Sequence, residues 1–354
     1  MKIESLGLPY ITRDLQGIGG VLRATTDHFQ VEEIPLYSPC GEGTHLYVNL
    51  TREGLTTRDV QRRLAMLFGG NDGAVGFAGM KDKYARTTQT FSINVGKVER
   101  DFIEQATTRI RSQLPVTVNW ADLHRNKLKL GHLRGNRFTI TVTDFDPPAD
   151  EALDRVRTIA ALLIERGMPN FFGPQRFGGD NLSRGLAIIQ GKYREGEVWL
   201  RRLLVSSYLG FLCNLYLTRR IELGLFDRIL TGDIAKKYDT GGLFVVEDGS
   251  AEQQRYESHE ISFTAPIYGS KMWKAEGASG EIESDILAES GITLEQMDRL
   301  GVRGTRRLGR LLPDDLSIGM VDDGLIVRFS LPKGAYATTV MREIMKVDVP
   351  ARDH

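Results

Sequence analysis

The chain has 354 residues, 41% hydrophobic and 26% charged, which suits a soluble globular protein of two domains or one large domain with an insertion. Lys plus Arg and Asp plus Glu each number 46 and cancel, so any nucleic-acid site must be a local patch. Cys40 and Cys213 are the only cysteines, which argues against a disulfide framework or a structural zinc site and fits two reduced thiols.

The opening residues lack the basic-then-apolar layout of a signal peptide, and no apolar run approaches the roughly 20 residues of a membrane span. A cytoplasmic monomer with no membrane contact is the expectation. Residues 20–37 read as a strand region, with Val31, Ile34 and Leu36 beside Asp27, Glu32 and Glu33. Pro39 to Gly43 is a turn. His45 to Leu50 alternates as a strand does. Thr56-Thr57-Arg58-Asp59 opens a helix, with a hydroxyl cap and an acid in the first turn; its apolar face is Val60, Leu64, Leu67 and Phe68, and Gly69-Gly70 ends it.

A short apolar run follows (Ala74, Val75, Phe77, Ala78), then a polar loop, and alternation resumes at Phe91, Ile93 and Val95. The loop holds one acid, Asp82, among Lys81, Lys83 and Arg86. Its neighbours would favour a charged carboxylate. Two readings stand: a turn aspartate in a solvated ion-pair cluster, or a nucleophile or base.

Residues 100–113 read as a helix and Val116 to Trp120 as a strand. His124 to Arg137 carries five Lys or Arg and no acid; it is either a solvated hairpin or a phosphate-contacting surface. Phe138, Ile140 and Val142 alternate with Thr139, Thr141 and Thr143 in a strand. Phe138 is either a core residue or a stacking platform for a base. Asp150 is the expected cap of a helix closing at Gly167. Asn170 to Gly179 is dense in aromatics and glycine, and its Arg176 suits either a buried bidentate pair or a partner for an acid or phosphate. Residues 196–223 form a long helix by pattern. Residues 224–318 change texture and read as a separate lobe. Their arginines Arg303, Arg306, Arg307 and Arg310 suit an exposed helix end or RNA contact. Asp322 to Gly324 is a hairpin turn, Leu325 to Phe329 a strand, and Ala337 to Val347 a closing helix.

Several stock motifs fail. Gly17 to Gly20 lacks the spacing of a dinucleotide fingerprint, the Gly76 to Lys81 run is not a Walker loop, and the six histidines show no HxH or HExxH spacing. No metal and no cofactor are expected.

Four ordered segments carry a resemblance. Gly79-Met80-Lys81-Asp82-Lys83 with Arg86-Thr87-Thr88-Gln89, Arg134 to Phe138, Asn170 to Gly178 and Leu331 to Val340 resemble the motifs of the TruD family of tRNA pseudouridine synthases. Phe29 to Ile34 and Gly41 to His45 look similar too. The resemblance implies an α+β fold: a pseudouridine-synthase core, with a mixed and largely antiparallel sheet flanked by helices, and an inserted α/β lobe, V-shaped together. The core would be residues 1–169 and 319–354, the lobe 170–318. It implies isomerisation of uridine to pseudouridine in tRNA, typically at position 13, with Asp82 as the essential aspartate. Phe138 would stack on the base, and Asn136 would support the aspartate or the flipped nucleotide. Lys81 and an arginine, Arg176 foremost, would hold the carboxylate's charge. Lys127, Lys129, Arg134, Arg306 and Arg307 would take phosphates, and Gln89 completes the substrate-binding set. Two other readings are a tRNA-binding folding chaperone on the same fold and a metal-free hydrolase pairing Asp82 with Glu32 or Glu33.

Overall fold

A computed structural model describes residues 7–347; residues 1–6, part of the opening stretch read above for a leader, lie outside them. In chain order the first strands are β1 (Gly19–Leu22), β2 (Phe29–Pro35) and β3 (His45–Arg52). Helix α1 (Thr57–Leu67), β4 (Val75–Phe77), β5 (Arg86–Asn94), α2 (Asp101–Gln113), β6 (Thr117–His124), β7 (Leu133–Phe145) and α3 (Ala149–Arg166) follow. Then come β8 (Met168–Pro169), α4 (Asn181–Ile189), α5 (Val198–Glu222), β9 (Ile234–Lys237), β10 (Leu243–Val245), α6 (Gly249–Glu257) and β11 (Ile261–Ile267). The chain closes with α7 (Gly277–Glu289), α8 (Leu294–Arg299), β12 (Thr305–Leu308), β13 (Arg310–Leu311), β14 (Asp314–Val321), β15 (Gly324–Pro332) and α9 (Ala337–Met345). The α+β class expected from the sequence is what the structure shows.

Two compact units divide the described residues. The first holds residues up to Gly17, Thr158–Leu312 and residues from Ala335; the second holds Ile18–Arg157 and Pro313–Gly334. These limits differ from the sequence-drawn boundaries at 169/170 and 318/319. One cut falls inside α3, and α9 goes with the first unit. The reason is a polar clamp at the N-terminal segment. The buried Glu343 carboxylate accepts from Ile11 N at 2.8 Å and from Thr12 Oγ1 at 2.6 Å, and Arg342 stacks 3.8 Å over Tyr10.

The second unit is built on a nine-stranded sheet ordered β14-β15-β7-β2-β5-β3-β6, with β1 on β7 and β4 on β5. Only β2 and β5 run parallel. Alternation gives β2 one buried row, Phe29, Val31 and Glu33. At the β3 end, Leu46, Val48 and Leu50 pack with Val60 and Leu64 of α1, Phe91 of β5 and Ile110 of α2. The expected hydroxyl cap of α1 is Thr56: its hydroxyl accepts from Asp59 N at 3.0 Å, while the Asp59 carboxylate accepts from Thr56 N at 3.0 Å. Gly135 in β7 is a close-approach position, since a Cβ there would lie 2.1 Å from Leu331 O of β15.

The first unit centres on α5. Its apolar residues run all around the helix, as a buried helix requires: Leu204, Tyr208, Leu212, Tyr216 and Leu217 are each at most 1% exposed. Gly185 lets α4 approach it, because a Cβ there would meet Leu204 O at 2.3 Å. The four-stranded sheet β10-β9-β11-β12 belongs to this unit.

Cys40 is exposed and Cys213 is buried in α5. Burial pushes the Cys213 thiol up to about 12, with the nearby Arg307 and Arg306 opposing. An aromatic disulfide reagent is therefore expected to titrate one thiol rapidly in the native chain and the second only after unfolding. Two rapid thiols would contradict this packing.

Candidate active site

Asp82 lies in the loop between β4 and β5, where the polar run stops the first strand and Arg86 starts the next. Its side chain is 15% exposed. Oδ1 accepts from Tyr84 N at 2.9 Å, a local turn that fixes the carboxylate. Oδ2 lies 2.8 Å from Nη1 of Arg23, whose side chain is 9% exposed. Arg23 follows β1 in a left-handed conformation, φ 62°. Its guanidinium centre sits 4.0 Å above the Phe29 ring. Phe29 meets Phe138 edge-on, centroids 6.4 Å apart, and Phe138 stacks on Phe329 at 5.4 Å and 29°. Strand pairing sets this row, because Phe138 is opposite Val31 of β2 and Phe329 of β15. One connected set thus runs from a carboxylate through a cation to three rings on adjacent strands.

Asn136 is two residues before Phe138 on β7 and pairs in register with Glu33 and Leu331. Its Oδ1 is buried and has no hydrogen-bond partner in the structure. Phe138 itself is 6% exposed, so one of its faces is already spent on Phe329.

The other expected site residues fall elsewhere. Lys81 is not beside the carboxylate: its ammonium lies 2.9 Å from Glu33 Oε2, with side chains 4% and 2% exposed. Burial lowers its pKa, and Glu33 opposes that shift. Gln89 is fully buried in the same cluster, where it donates to Gly79 O and accepts from Thr57 Oγ1 at 3.2 Å. Arg52 joins through Thr57 Oγ1 at 2.9 Å; burial lowers its pKa to about 10 against the pull of Glu33 and Asp59. Glu32 faces the opposite side of the sheet, 3.5 Å from Arg137. Paired-carboxylate hydrolysis by Asp82 with either glutamate therefore has no geometry here: Glu32 faces away and Glu33 is tied to Lys81.

The arginine beside Asp82 is Arg23. Arg176 hydrogen-bonds Ser206 at 2.7 Å and leans on Phe172, guanidinium to centroid 5.7 Å. Arg306 and Arg307 are structural and not exposed phosphate ligands. Arg306 is buried on β12, 2.7 Å from Glu283, with further bonds to Thr264. Arg307 stacks 3.9 Å over Phe172 and donates to Asn170 O at 2.9 Å. As consecutive strand residues they point to opposite faces, and each face is covered, where a charge run suggested an exposed helix end. In the basic connection before β7, Lys129 and Arg134 are exposed, and Lys127 donates its ammonium to Gly73 O. Arg23 is the residue the sequence reading passed over. Its one signal was isolation: it is the sole Lys or Arg between Arg13 and Arg52. Among the described residues no group of three or more His, Cys, Asp or Glu is placed to hold a metal, and no helix is long and apolar enough to cross a membrane.

The model of the family tRNA pseudouridine synthase D (TruD) matches residues 5–198 and 196–344. A tRNA pseudouridine synthase D of Thermus thermophilus is 42% identical over 348 residues, covering 98% of this chain and 94% of that protein. One from Anaeromyxobacter dehalogenans is 42% identical over 352 residues, covering 96% and 97%. A crystal structure of a Methanosarcina mazei protein carrying the TruD name superposes with a TM-score of 0.74 at 26% identity, covering 96% of each chain. With full-length matches of this identity and a matching fold, the chain belongs to the TruD family of tRNA pseudouridine synthases, a family of isomerases.

Proposed function

We propose that the chain isomerises uridine to pseudouridine in tRNA, at position 13, with Asp82 as its catalytic carboxylate. The observation that carries the reading is the Asp82–Arg23 pair, 2.8 Å apart and mostly shielded from solvent, at the end of the Phe29–Phe138–Phe329 row.

The reaction breaks the N1–C1′ bond, turns the uracil, and joins C5 to C1′. C5 loses its proton and N1 gains one, so the balance is redox-neutral and calls for no electron carrier. Asp82 acts either by attack on C1′ or by taking the C2′ proton. Both need a fixed, charged carboxylate, and Arg23 supplies the counter-charge while Tyr84 N supplies the orientation. The uridine must leave its stack, at a cost of a few kcal/mol. Contact with Phe138 returns about 1–3 kcal/mol of that. Because Phe138 is 6% exposed, the base reaches it only when the cover over that ring moves. The unpartnered Oδ1 of Asn136 is a ready acceptor for a uracil N–H on the same strand. Lys129 and Arg134, both exposed, supply phosphate contacts. We take the protein to act as a monomer on cytoplasmic tRNA.

The test is incubation of unmodified tRNA transcripts with the purified chain, followed by carbodiimide-dependent primer extension to map pseudouridine. Product at position 13 is expected. Product only at another position would remove the site assignment; none on any tRNA would remove the activity.

A further inference from the structure

Lys81 immediately precedes Asp82, yet its side chain runs the other way, into the interior. Around it the loop is tied down at three alternate residues. Gly79 O accepts from Gln89 Nε2, Lys81 N donates to Thr57 Oγ1 at 2.9 Å, and Lys83 O accepts from Gly54 N at 3.2 Å. The fourth tie is the ion pair of Lys81 with Glu33 at 2.9 Å. The partners come from fixed elements: Glu33 from β2, Gln89 from β5, and Thr57 from the first turn of α1.

Glu33 is itself held. One of its oxygens faces both Lys81 Nζ and Gln89 Nε2, at 2.9 and 3.5 Å, and the other lies 3.4 Å from Thr90 N. A buried ion pair is a weak source of net stability compared with an apolar pair of the same shape, but it is directional. Here the direction fixes the Cα that precedes the carboxylate.

We propose that the Glu33–Lys81 ion pair is a positioning device for Asp82. It sets the height and angle at which the carboxylate leaves the loop, and neither residue touches the substrate. The proposal rests on the reading of Asp82 as the catalytic carboxylate. A carboxylate displaced by 1 Å loses rate without losing tRNA affinity, so the device belongs to kcat and not to binding.

The experiment measures tritium release from C5-tritiated tRNA, with dissociation constants from filter binding and melting by circular dichroism. The variants are Glu33→Gln/Lys81→Met, Glu33→Gln alone and Asp82→Asn. The double variant removes both buried charges while keeping shape, so neither is left uncompensated. It is expected to fold, to bind tRNA within about twofold of wild type, and to lose about 10- to 100-fold in kcat. Wild-type kcat in the folded double variant would overturn the proposal. Should that variant fail to fold, Glu33→Gln alone decides, since it removes the ion pair while keeping the shape and an acceptor for Lys81 Nζ. A lower kcat at unchanged affinity supports the proposal, and wild-type kcat overturns it. Turnover retained by Asp82→Asn would instead remove the reading beneath it, a result distinct from either.

Discussion

Asp82→Asn is expected to leave a folded, tRNA-binding protein that forms no measurable pseudouridine, with kcat down about 10⁴-fold or more. The substitution preserves shape, and the amide oxygen can still accept from Tyr84 N as Oδ1 does at 2.9 Å. What is lost is the charge facing Arg23 at 2.8 Å. An amide neither attacks C1′ nor takes the C2′ proton, so either route stops. At 1.36 kcal/mol per tenfold, the loss corresponds to about 5 kcal/mol of transition-state stabilisation. Arg23 keeps its place over Phe29, 4.0 Å from the centroid, so the melting temperature should move by only a few degrees. Primer extension for pseudouridine and filter binding on the same preparation separate chemistry from affinity. Full modification by the variant would show that another group carries the reaction. Loss of tRNA binding in step with activity would show that Asp82 serves the complex and not the chemistry.

Local pattern made some elements of this fold legible and hid others. The capping residue and apolar face of α1 are both in its sequence, and the helix lies where they put it. Strand β5 starts at Arg86, five residues before the alternation becomes visible at Phe91. Its inward positions there are Thr87 and Gln89, polar side chains that break the apolar rhythm; Gln89 is taken up by the Glu33 cluster, where it accepts from Thr57 Oγ1. Strand β7 begins at Leu133, inside the run read as a basic hairpin: exposed Arg134 and Arg137 are interleaved with buried Gly135 and Phe138. The Asp82 loop could be located from sequence, but not its partner. Arg23 reaches it only because β2 and β5 are neighbours in the sheet, a pairing 56 positions apart in the chain between Gln30 and Arg86 that no window shows. Arg306 looked solvated because charge is visible in a sequence and strand orientation is not. Its partner Glu283 lies on a helix, α7, with β11 and its Thr264 alongside.

Asp233→Ala is expected to destabilise the first unit by about 3–5 kcal/mol, lowering its melting temperature by about 6–20 °C. Arg220 and Asp233 are fully buried, 0% exposed, and joined bidentately at 2.8 and 2.7 Å. The same guanidinium donates to Leu225 O at 3.1 Å, Tyr216 Oη at 3.0 Å and Arg228 O at 2.7 Å, and lies 3.8 Å from the Phe263 centroid. Burial opposes its charge, and Asp233 with Tyr216 more than offsets that, so the Arg220 pKa is raised. Cutting back Asp233 leaves that cation uncompensated in the interior, and it also removes the acceptor for Leu230 N at 2.7 Å. Arg220→Met/Asp233→Leu, which removes both charges together, should recover most of the lost stability, since the penalty lies in the orphaned charge. The damage should extend along α5. Asn214, less than two turns before Arg220 on that helix, accepts from Phe172 N at 2.8 Å and donates to Phe172 O at 3.0 Å. It thereby anchors the aromatic–glycine segment that carries Arg176. Thermal melts followed by circular dichroism, with limited proteolysis to locate the loosened region, provide the check. A shift below about 2 °C would mean that Arg220 finds other compensation. Cleavage confined to residues 18–157 would place the weak point in the wrong unit.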